Sequence, residues 1–390
     1  MAKMPAAVFY APGDIRLEEI GVPAVGPGEA LVRVRAAGIC GTDVRIMKGG
    51  KKVAVPIVIG HELAGDIAAL GEGVTGLKVG DRVTVEPVIP CGKCALCLKG
   101  RRNICLTRPT IGYEYDGAFA KYVRVPATGV AAGNVIPLPE GISYEEAAIA
   151  EPLAAVVNGI DRCNIQLGDS VLILGAGPIG LAHLMLSRAA GATHVYVSEP
   201  NEERRKTTLD FGADGVINPL AEDVVAKAKA WTGGVGVDVV IVAAGVPAAM
   251  EAGLRAARKG GVFNIFAGSP PNSTFPLDPN LVHYGELIVT GSSGHTAGHM
   301  RRAVDLITGG VIDAKRLITH RFQLAVIHAA LGAWQALPGL THVVLMPELG
   351  TAVGRNDSAG HRCRRHGLQG DALQLGGRAA AHRLRRVPHE

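Results

Sequence analysis

The stretch that most constrains this chain is Val171-Leu172-Ile173-Leu174-Gly175-Ala176-Gly177-Pro178-Ile179-Gly180. A short apolar run ends in Gly-x-Gly-x-x-Gly. A helix-like segment follows from Leu181 to Ala190, closed by Gly191, and a second β-rich run, Thr193 to Ser198, ends at Glu199. In a phosphate-holding βαβ unit the first glycine allows the tight turn, the second lets the backbone approach a pyrophosphate, and the third lets helix and strand pack closely. The helix start at Pro178-Ile179 then offers free N–H groups and the positive end of a dipole to the phosphates. Glu199 stands where a carboxylate accepts the hydroxyls of an adenosine ribose. A plain βαβ turn is the competing reading of three glycines. Strand, helix, strand and acid in register favour a dinucleotide site.

The surroundings of this unit repeat its pattern. Strand candidates run over 171–174, 193–198, 215–218, 237–243, 261–267 and 286–291, and helix candidates over 179–190, 201–212, 220–231 and 247–258. Six strands with crossovers of this length read as a doubly wound parallel sheet. Leu287-Ile288-Val289 reads as its edge strand. The chain before residue 140 is different: short strands at Ala6–Tyr10, Ile15–Ile20, Ala30–Ala36, Glu62–Leu70, Arg82–Val85 and Ala118–Val125, separated by Pro/Gly turns, with little helical pattern. That predicts an antiparallel, partly closed β domain decorated by loops. Ser143 with Glu146 three residues on starts a helix. After His299 a helix over Arg301–Thr308 and short elements lead to a strand-like run at Thr341–Met346.

Four of the seven cysteines crowd into one loop, Cys91-Gly-Lys-Cys94-Ala-Leu-Cys97 and then Cys105. The chain starts without the apolar stretch of a secretory signal, so this density argues for metal rather than disulfides. Four thiolates brought round one loop make a closed tetrahedral site that suits structural zinc. An iron–sulfur cluster and an unmetallated cysteine loop are the competing readings. A second constellation is spread along the chain: Cys40-Gly41-Thr42-Asp43, Gly60-His61-Glu62 and Glu151-Pro152. All three residue types bind zinc, and three protein ligands leave a position for a water or a substrate oxygen. An ion there lowers the pKa of a bound hydroxyl. Singly, Cys40 reads as a core thiol, His61 as a satisfied histidine and Glu151 as a helix-end charge. Spacing alone does not join them.

Charge excludes less than its total suggests. The net +5 is carried by the last forty residues, which hold eight arginines and three acids, so residues 1–350 sum to zero. The main body therefore gives no electrostatic reason to bind nucleic acid. No run of about 18 uncharged apolar residues suggests a membrane span. A cytoplasmic protein without nucleic-acid or membrane partners is the expectation. The stretch 348–390, rich in Arg, Gly, Ala and His and without apolar periodicity, is expected to be disordered.

Together these motifs resemble the zinc-containing medium-chain alcohol dehydrogenase family. Gly60-His61-Glu62-x-x-Gly65, with Gly71 and Val74 beyond, looks like its zinc signature, and the cysteine lobe and Gly175–Gly180 fall where the family places them. The resemblance covers residues 1 to about 347. It implies an α/β protein of two parts: a GroES-like β-rich catalytic domain, 1–153 with 294–347, and an inserted Rossmann dinucleotide-binding domain, 154–293. The Glu62 and Glu151-Pro152-Leu153 context is similar to the sorbitol, threonine and sugar-alcohol branch. There Cys40, His61 and one or both of Glu62 and Glu151 would hold a catalytic zinc, and Cys91, Cys94, Cys97 and Cys105 a structural one.

The resemblance implies an NAD-dependent oxidation of a secondary alcohol. The substrate would be a polyol, cyclitol or sugar alcohol, phosphorylated or not, or else L-threonine; a catalytically silent zinc- and NAD-binding protein is the remote alternative. Gly175, Gly177, Pro178, Ile179, Gly180, Glu199 and Arg204 would bind the cofactor. Glu199 repels a 2′-phosphate and favours NAD, while Arg204 and Arg205 keep NADP open. Thr42 would pass the substrate proton outward. Arg45 stands where the family often has a histidine, and an arginine cannot accept that proton. Arg45 reads either as a surface salt bridge or as a contact for a substrate carboxylate or phosphate. The relay then runs from Thr42 through water, or through Glu62 or Glu151. The family's habit implies a homodimer or homotetramer.

Overall fold

The computed structural model describes residues 2–336 and 341–347, without the side chains of 335 and 336. The stretch 348–390 lies outside the described residues, so the expectation for it stands untouched.

Among the described residues the strands form three sheets. The first pairs β1 (Lys3–Ala11) with β2 (Asp14–Gly21) and β4 (Ile57–Val58). The second holds β3 (Ala30–Ile39), β5 (Glu62–Leu70), β6 (Arg82–Val85), β7 (Tyr122–Val125) and β8 (Val135–Pro137). Two strands from the far end of the chain, β15 (Ile318–Gln323) and β16 (His342–Met346), complete it, β16 pairing antiparallel with β3. A GroES-like β core is thus closed by a C-terminal return. The third sheet is parallel: β9 (Ser170–Leu174), β10 (His194–Ser198), β11 (Gly215–Ile217), β12 (Val237–Val242), β13 (Ala257–Ile265) and β14 (Ile288–Gly291). Its order β11-β10-β9-β12-β13-β14 reverses direction beside β9, the strand that feeds the glycine turn. Ligands bind at such a switch point, outside the carboxyl ends of the strands.

The glycine turn shows why its residues are small. Gly175 has φ +109°, a backbone region L side chains rarely adopt, and a Cβ on Gly180 would lie 2.0 Å from the Gly175 carbonyl oxygen. The helix Pro178–Ala189 can therefore sit hard against the end of β9 only with these glycines. Gly177 differs: a Cβ there would meet nothing within 4 Å. The opening lies at the cap of a helix whose first N–H groups need a partner.

Three elements depart from sequence expectation. A helix forms at Gly41–Met47, before residue 140, because Cys40 caps it and the Asp43 carboxylate accepts the Cys40 N–H at 2.9 Å. The expected strand over Ala118–Val125 is regular only from Tyr122. Its first part instead bonds across to the stretch before His61, Ala118 N–H to the Gly60 carbonyl and Phe119 N–H to that of Ile59. The helix from Ser143 has its capping box with Glu146, stops at Ala148, and restarts as Ala150–Cys163. This second helix packs on both Pro178–Ala189 and the helix Ala297–Thr308.

Two side chains of Pro178–Ala189, His183 and Ser187, are buried here without a hydrogen-bond partner, and the histidine is the one that titrates. His183, on Pro178–Ala189, is fully buried with neither ring nitrogen hydrogen-bonded. It lies against Gly159 and edge-on to Phe266 at 4.6 Å. Burial pushes its pKa down to about 3 from 6.5. The unfolded chain takes up a proton that the folded chain refuses, so stability present above about pH 6.5 is lost as pH falls, by up to about 1.4 kcal/mol per unit for this group. His183→Leu, similar in volume and unable to ionise, is expected to shrink the fall in melting temperature between pH 7 and pH 5. Circular dichroism melts of both proteins across that range check this; parallel curves would refute it.

Candidate active site and metal centres

The cysteine lobe is built by a tight loop. Cys94 caps the short helix Ala95–Leu98 and accepts the Cys97 N–H, while the N–H groups of Cys91 and Cys94 point at the sulfurs of Cys105 and Cys91, both at 3.3 Å. All four Sγ atoms lie within 4.8 Å of one another, with Cys91–Cys97 at 4.0 Å and Cys94–Cys105 at 3.9 Å. Zinc–sulfur bonds of about 2.3 Å put tetrahedral sulfurs about 3.8 Å apart, whereas a disulfide needs about 2.05 Å. The arrangement fits zinc. Burial pushes the Cys105 thiol up, but N–H and hydroxyl donors from Cys91 and Thr107 outweigh it and bring its pKa down to about 5, toward the thiolate a metal needs.

The second constellation converges from three elements. Cys40 precedes the helix Gly41–Met47, His61 immediately precedes β5, and Glu62 opens it. Their ligand atoms lie within 4.8 Å of one another, and His61 and Glu62 are buried. Asp43 Oδ1, buried and without a hydrogen-bond partner of its own, stands 3.5 Å from His61 Nδ1. Glu62 uses one oxygen, Oε2, to accept a hydrogen bond from His342 Nε2 at 2.7 Å, while its buried Oε1 has no hydrogen-bond partner. A sulfur, an imidazole and an unsatisfied carboxylate oxygen make a donor set that fits a zinc with an open position. Burial lowers the His61 pKa, yet Tyr113, Asp43 and Cys40 together raise it well above 6.5, so the pocket draws positive charge.

Glu151 is placed elsewhere. It sits in the first turn of Ala150–Cys163 and accepts a hydrogen bond from His295 Nε2 at 2.8 Å, while His295 Nδ1 donates to Glu86. Burial opposes charge on His295, but the two carboxylates hold its pKa up at about 10. His61 and His342 also help to lower the Glu151 pKa, which puts this carboxylate in electrostatic reach of the Cys40 group without joining it. Thr42 is half-buried beside Cys40, and Arg45 is exposed.

At the glycine turn, buried Glu199 accepts the Ala176 N–H at 2.8 Å and the Asn201 N–H at 2.9 Å. Arg205 caps the carbonyls of Glu199 and Pro200. Arg204, half-buried, has no side-chain hydrogen bond or ion pair among the described residues.

Sequence reasoning passed over Glu86, Tyr113, His295 and His342. The two histidines are 144 and 280 residues away from the acids they bind. Only Asp43, beside Thr42, stood within a motif already singled out.

Comparison with known proteins agrees with this geometry. Residues 26–140 match the alcohol dehydrogenase GroES-like domain family, and residues 178–309 the zinc-binding dehydrogenase family. The L-threonine 3-dehydrogenase of Pyrococcus horikoshii is 38% identical over 82% of this chain and 92% of its own length. The sorbitol dehydrogenase of Bacillus subtilis is 34% identical over 82% of this chain and 90% of its own. This chain belongs to the zinc-containing medium-chain alcohol dehydrogenase family. A zinc-binding dehydrogenase from Sinorhizobium meliloti, solved with NADP, superposes with a TM-score of 0.83 at 35% identity, over 89% of this chain and all of that one. The chain is thus an oxidoreductase of the zinc alcohol dehydrogenase type. No helix among the described residues is long and apolar enough to cross a membrane.

The unequal surroundings of the two glutamates give a direct test. Glu62→Gln is expected to weaken the non-cysteine-lobe metal by more than about a hundredfold, and Glu151→Gln by about ten- to a hundredfold at most, the range of an outer carboxylate. Chelator competition with elemental analysis reads both. Equal losses would mean that both carboxylates reach the ion.

Proposed function

We propose that this enzyme is an NAD-dependent dehydrogenase that oxidises a secondary alcohol to a ketone at a catalytic zinc held by Cys40, His61 and Glu62. A second, structural zinc would be held by Cys91, Cys94, Cys97 and Cys105. The observation that carries this reading is the buried, unpartnered Glu62 Oε1 within reach of the Cys40 thiol and the His61 ring. When bound, zinc supplies a Lewis acid that acidifies the substrate hydroxyl, and NAD accepts the hydride.

The chain's own residues do the remainder. His342 fixes Glu62 by a hydrogen bond, and Asp43 sets a negative charge beside His61, so both ligands are held in a site that favours a cation. Thr42 takes the substrate proton and hands it to water, since Glu62 and Glu151 each already accept a histidine N–H. The domain division at 153/154 and 293/294 belongs to the same reading, and it puts the reaction between the two domains. Gly177 leaves room for the pyrophosphate, and Glu199 favours NAD because its buried carboxylate repels a 2′-phosphate. Exposed Ile288 on edge strand β14 supports association of copies through the parallel sheet.

Two substrate classes have support. A polyol, cyclitol or sugar alcohol is consistent with the Bacillus subtilis relative, and L-threonine with the Pyrococcus relative. Reduced-nicotinamide formation with NAD and NADP in parallel, over polyols, inositols, sugar-alcohol phosphates and L-threonine, tests the reading. A chelator-sensitive signal selective for NAD is expected. Zinc-loaded protein inert toward the whole panel would count against it. Glu199→Ser should raise the NADP to NAD ratio of kcat/KM by about tenfold or more, as removing a charge repulsion of about 1.4 kcal/mol does; an unchanged ratio would remove Glu199 from cofactor choice.

A further inference from the structure

Between Asp43 and Glu62 the chain carries four Lys/Arg cations and no acid: Arg45, Lys48, Lys51 and Lys52. Three of these four are exposed, as lysines and arginines on a loop usually are. Lys51 is not. It is half-buried, its ammonium lies 4.0 Å from the centroid of the Tyr113 ring, and among the described residues it has no ion pair. The Tyr113 ring in turn lies 5.2 Å from that of His61, and its hydroxyl is 3.5 Å from the imidazole nitrogens. One aromatic ring therefore separates an uncompensated cation from a zinc-ligand candidate.

The charges around Lys51 sharpen the point. Burial is the main cause that pushes its pKa down; Arg45 and Arg108 push the same way, while Glu114 and the Cys40 thiolate oppose them. Glu114, the nearby acid, already accepts the Thr110 N–H at 2.8 Å. Arg108 lies near Gly294, where a Cβ would be 3.7 Å from its Nη2, next to the histidine that holds Glu151. A half-buried ammonium that rests on an aromatic ring and makes no ion pair among the described residues is incompletely compensated until something anionic reaches it.

We infer that Lys51, with Arg45 and Arg108, receives an anionic group of the substrate, a carboxylate or a phosphate, a few bonds from the carbon that is oxidised. The inference rests on the proposed dehydrogenase reading and narrows it, because neutral polyols and simple diols become poor substrates. The separation across Tyr113 suits a small molecule with the hydroxyl at one end and the anion at the other. Lys51 holds and orients; it takes no part in bond making.

The test pairs each anion with its counterpart lacking that group: D-sorbitol 6-phosphate with D-sorbitol, and L-threonine with 1-aminopropan-2-ol. Wild type, Lys51→Met, Arg108→Gln and, as a charge control on the nucleotide-binding side, Lys229→Met are compared. Two readouts are used: kcat/KM, and calorimetric titration of the zinc-loaded protein with reduced nicotinamide present. Wild type should prefer one anionic member over its counterpart. That preference should fall about ten- to a hundredfold in Lys51→Met, the size of one charge-assisted contact, and less in Arg108→Gln. The loss should appear in KM and binding rather than kcat, and Lys229→Met should keep the preference. Which pair responds tells phosphate from carboxylate. Equal use or binding of both members, or a preference that survives Lys51→Met, overturns the inference while leaving the dehydrogenase reading intact. Anion binding that depends on Lys51 without turnover of any substrate supports the anion seat and tells against the dehydrogenase reading.

Discussion

An imidazolium buried between two carboxylates is stable only while both partners are in place, because an unpaired buried charge costs several kcal/mol. His295 is such a group, and its partners come from distant parts of the chain: Glu86 just after β6 and Glu151 at the start of Ala150–Cys163. Its own backbone belongs to the loop that leaves β14, the last strand of the parallel sheet. The two residues before it are tied down as well. The Ser293 carbonyl accepts from Asn103 inside the cysteine lobe, and the Gly294 carbonyl accepts from Asn158 on the Glu151 helix. Three consecutive residues thus bind the nucleotide sheet to the cysteine lobe, to the long helix and to the β core. A closed four-sulfur site has no position for substrate, and this loop gives it something to do: a fixed lobe holds Asn103, and Asn103 holds the chain that carries His295.

Glu62 is governed by the same logic of pairing. Its hydrogen bond to His342 passes over Gly38, where a Cβ would lie 1.9 Å from Glu62 Oε2 and 2.8 Å from His342 Nε2. The glycine in β3 is a clearance for the pair, and β16 is the strand that brings His342 to it. His342 also shares a small apolar cavity with Pro152, Pro178 and Ile179, so the residue that orients a ligand candidate touches the wall between the glycine turn and the Glu151 helix. Two buried histidines are thus matched to acids. His183, buried without any partner, shows the opposite case: neutral, with its ring nitrogens unsatisfied at any pH and a further cost in acid.

The parts legible in the sequence were those whose physics is local. A glycine turn must have its glycines next to each other, and four cysteines on one loop can meet without help from the rest of the chain. The doubly wound parallel sheet followed from the alternation of strands and crossovers, and Leu287-Ile288-Val289 was read as an edge strand; the order of the strands around β9 was not read from the sequence. The GroES-like core and the return of β16 came from the resemblance rather than from periodicity. What stayed hidden was made by tertiary contact. Nothing around His295 or His342 distinguishes either from a surface histidine, since their meaning lies in acids more than a hundred residues away. The helix Gly41–Met47 escaped because seven residues carry too little pattern, and it forms where Asp43 can reach back to the Cys40 N–H. The strand expected from Ala118 was shortened because Phe119 is used to line the backbone before His61.

The electrostatics of the cleft are layered, and the layering bears on orientation. Inside, Cys40, Asp43 and Glu62 crowd acidic groups around one imidazole, a setting that calls for a cation. Outside, beyond the Tyr113 ring, stands the Lys51 ammonium, in a stretch that also carries Arg45, Lys48 and Lys52 and no acid. A neutral alcohol meets both layers indifferently and can enter with any of its hydroxyls first. A molecule with a hydroxyl at one end and an anion at the other is steered, because reversing it would carry its anion away from the Lys51 ammonium. Hydride transfer needs one carbon presented to the nicotinamide in one geometry, and a well-oriented pair of reactants is worth several kcal/mol of barrier. On a rigid site with few directional side chains near the metal, opposed charge layers are the simplest means this fold has to choose which end of a small substrate goes in.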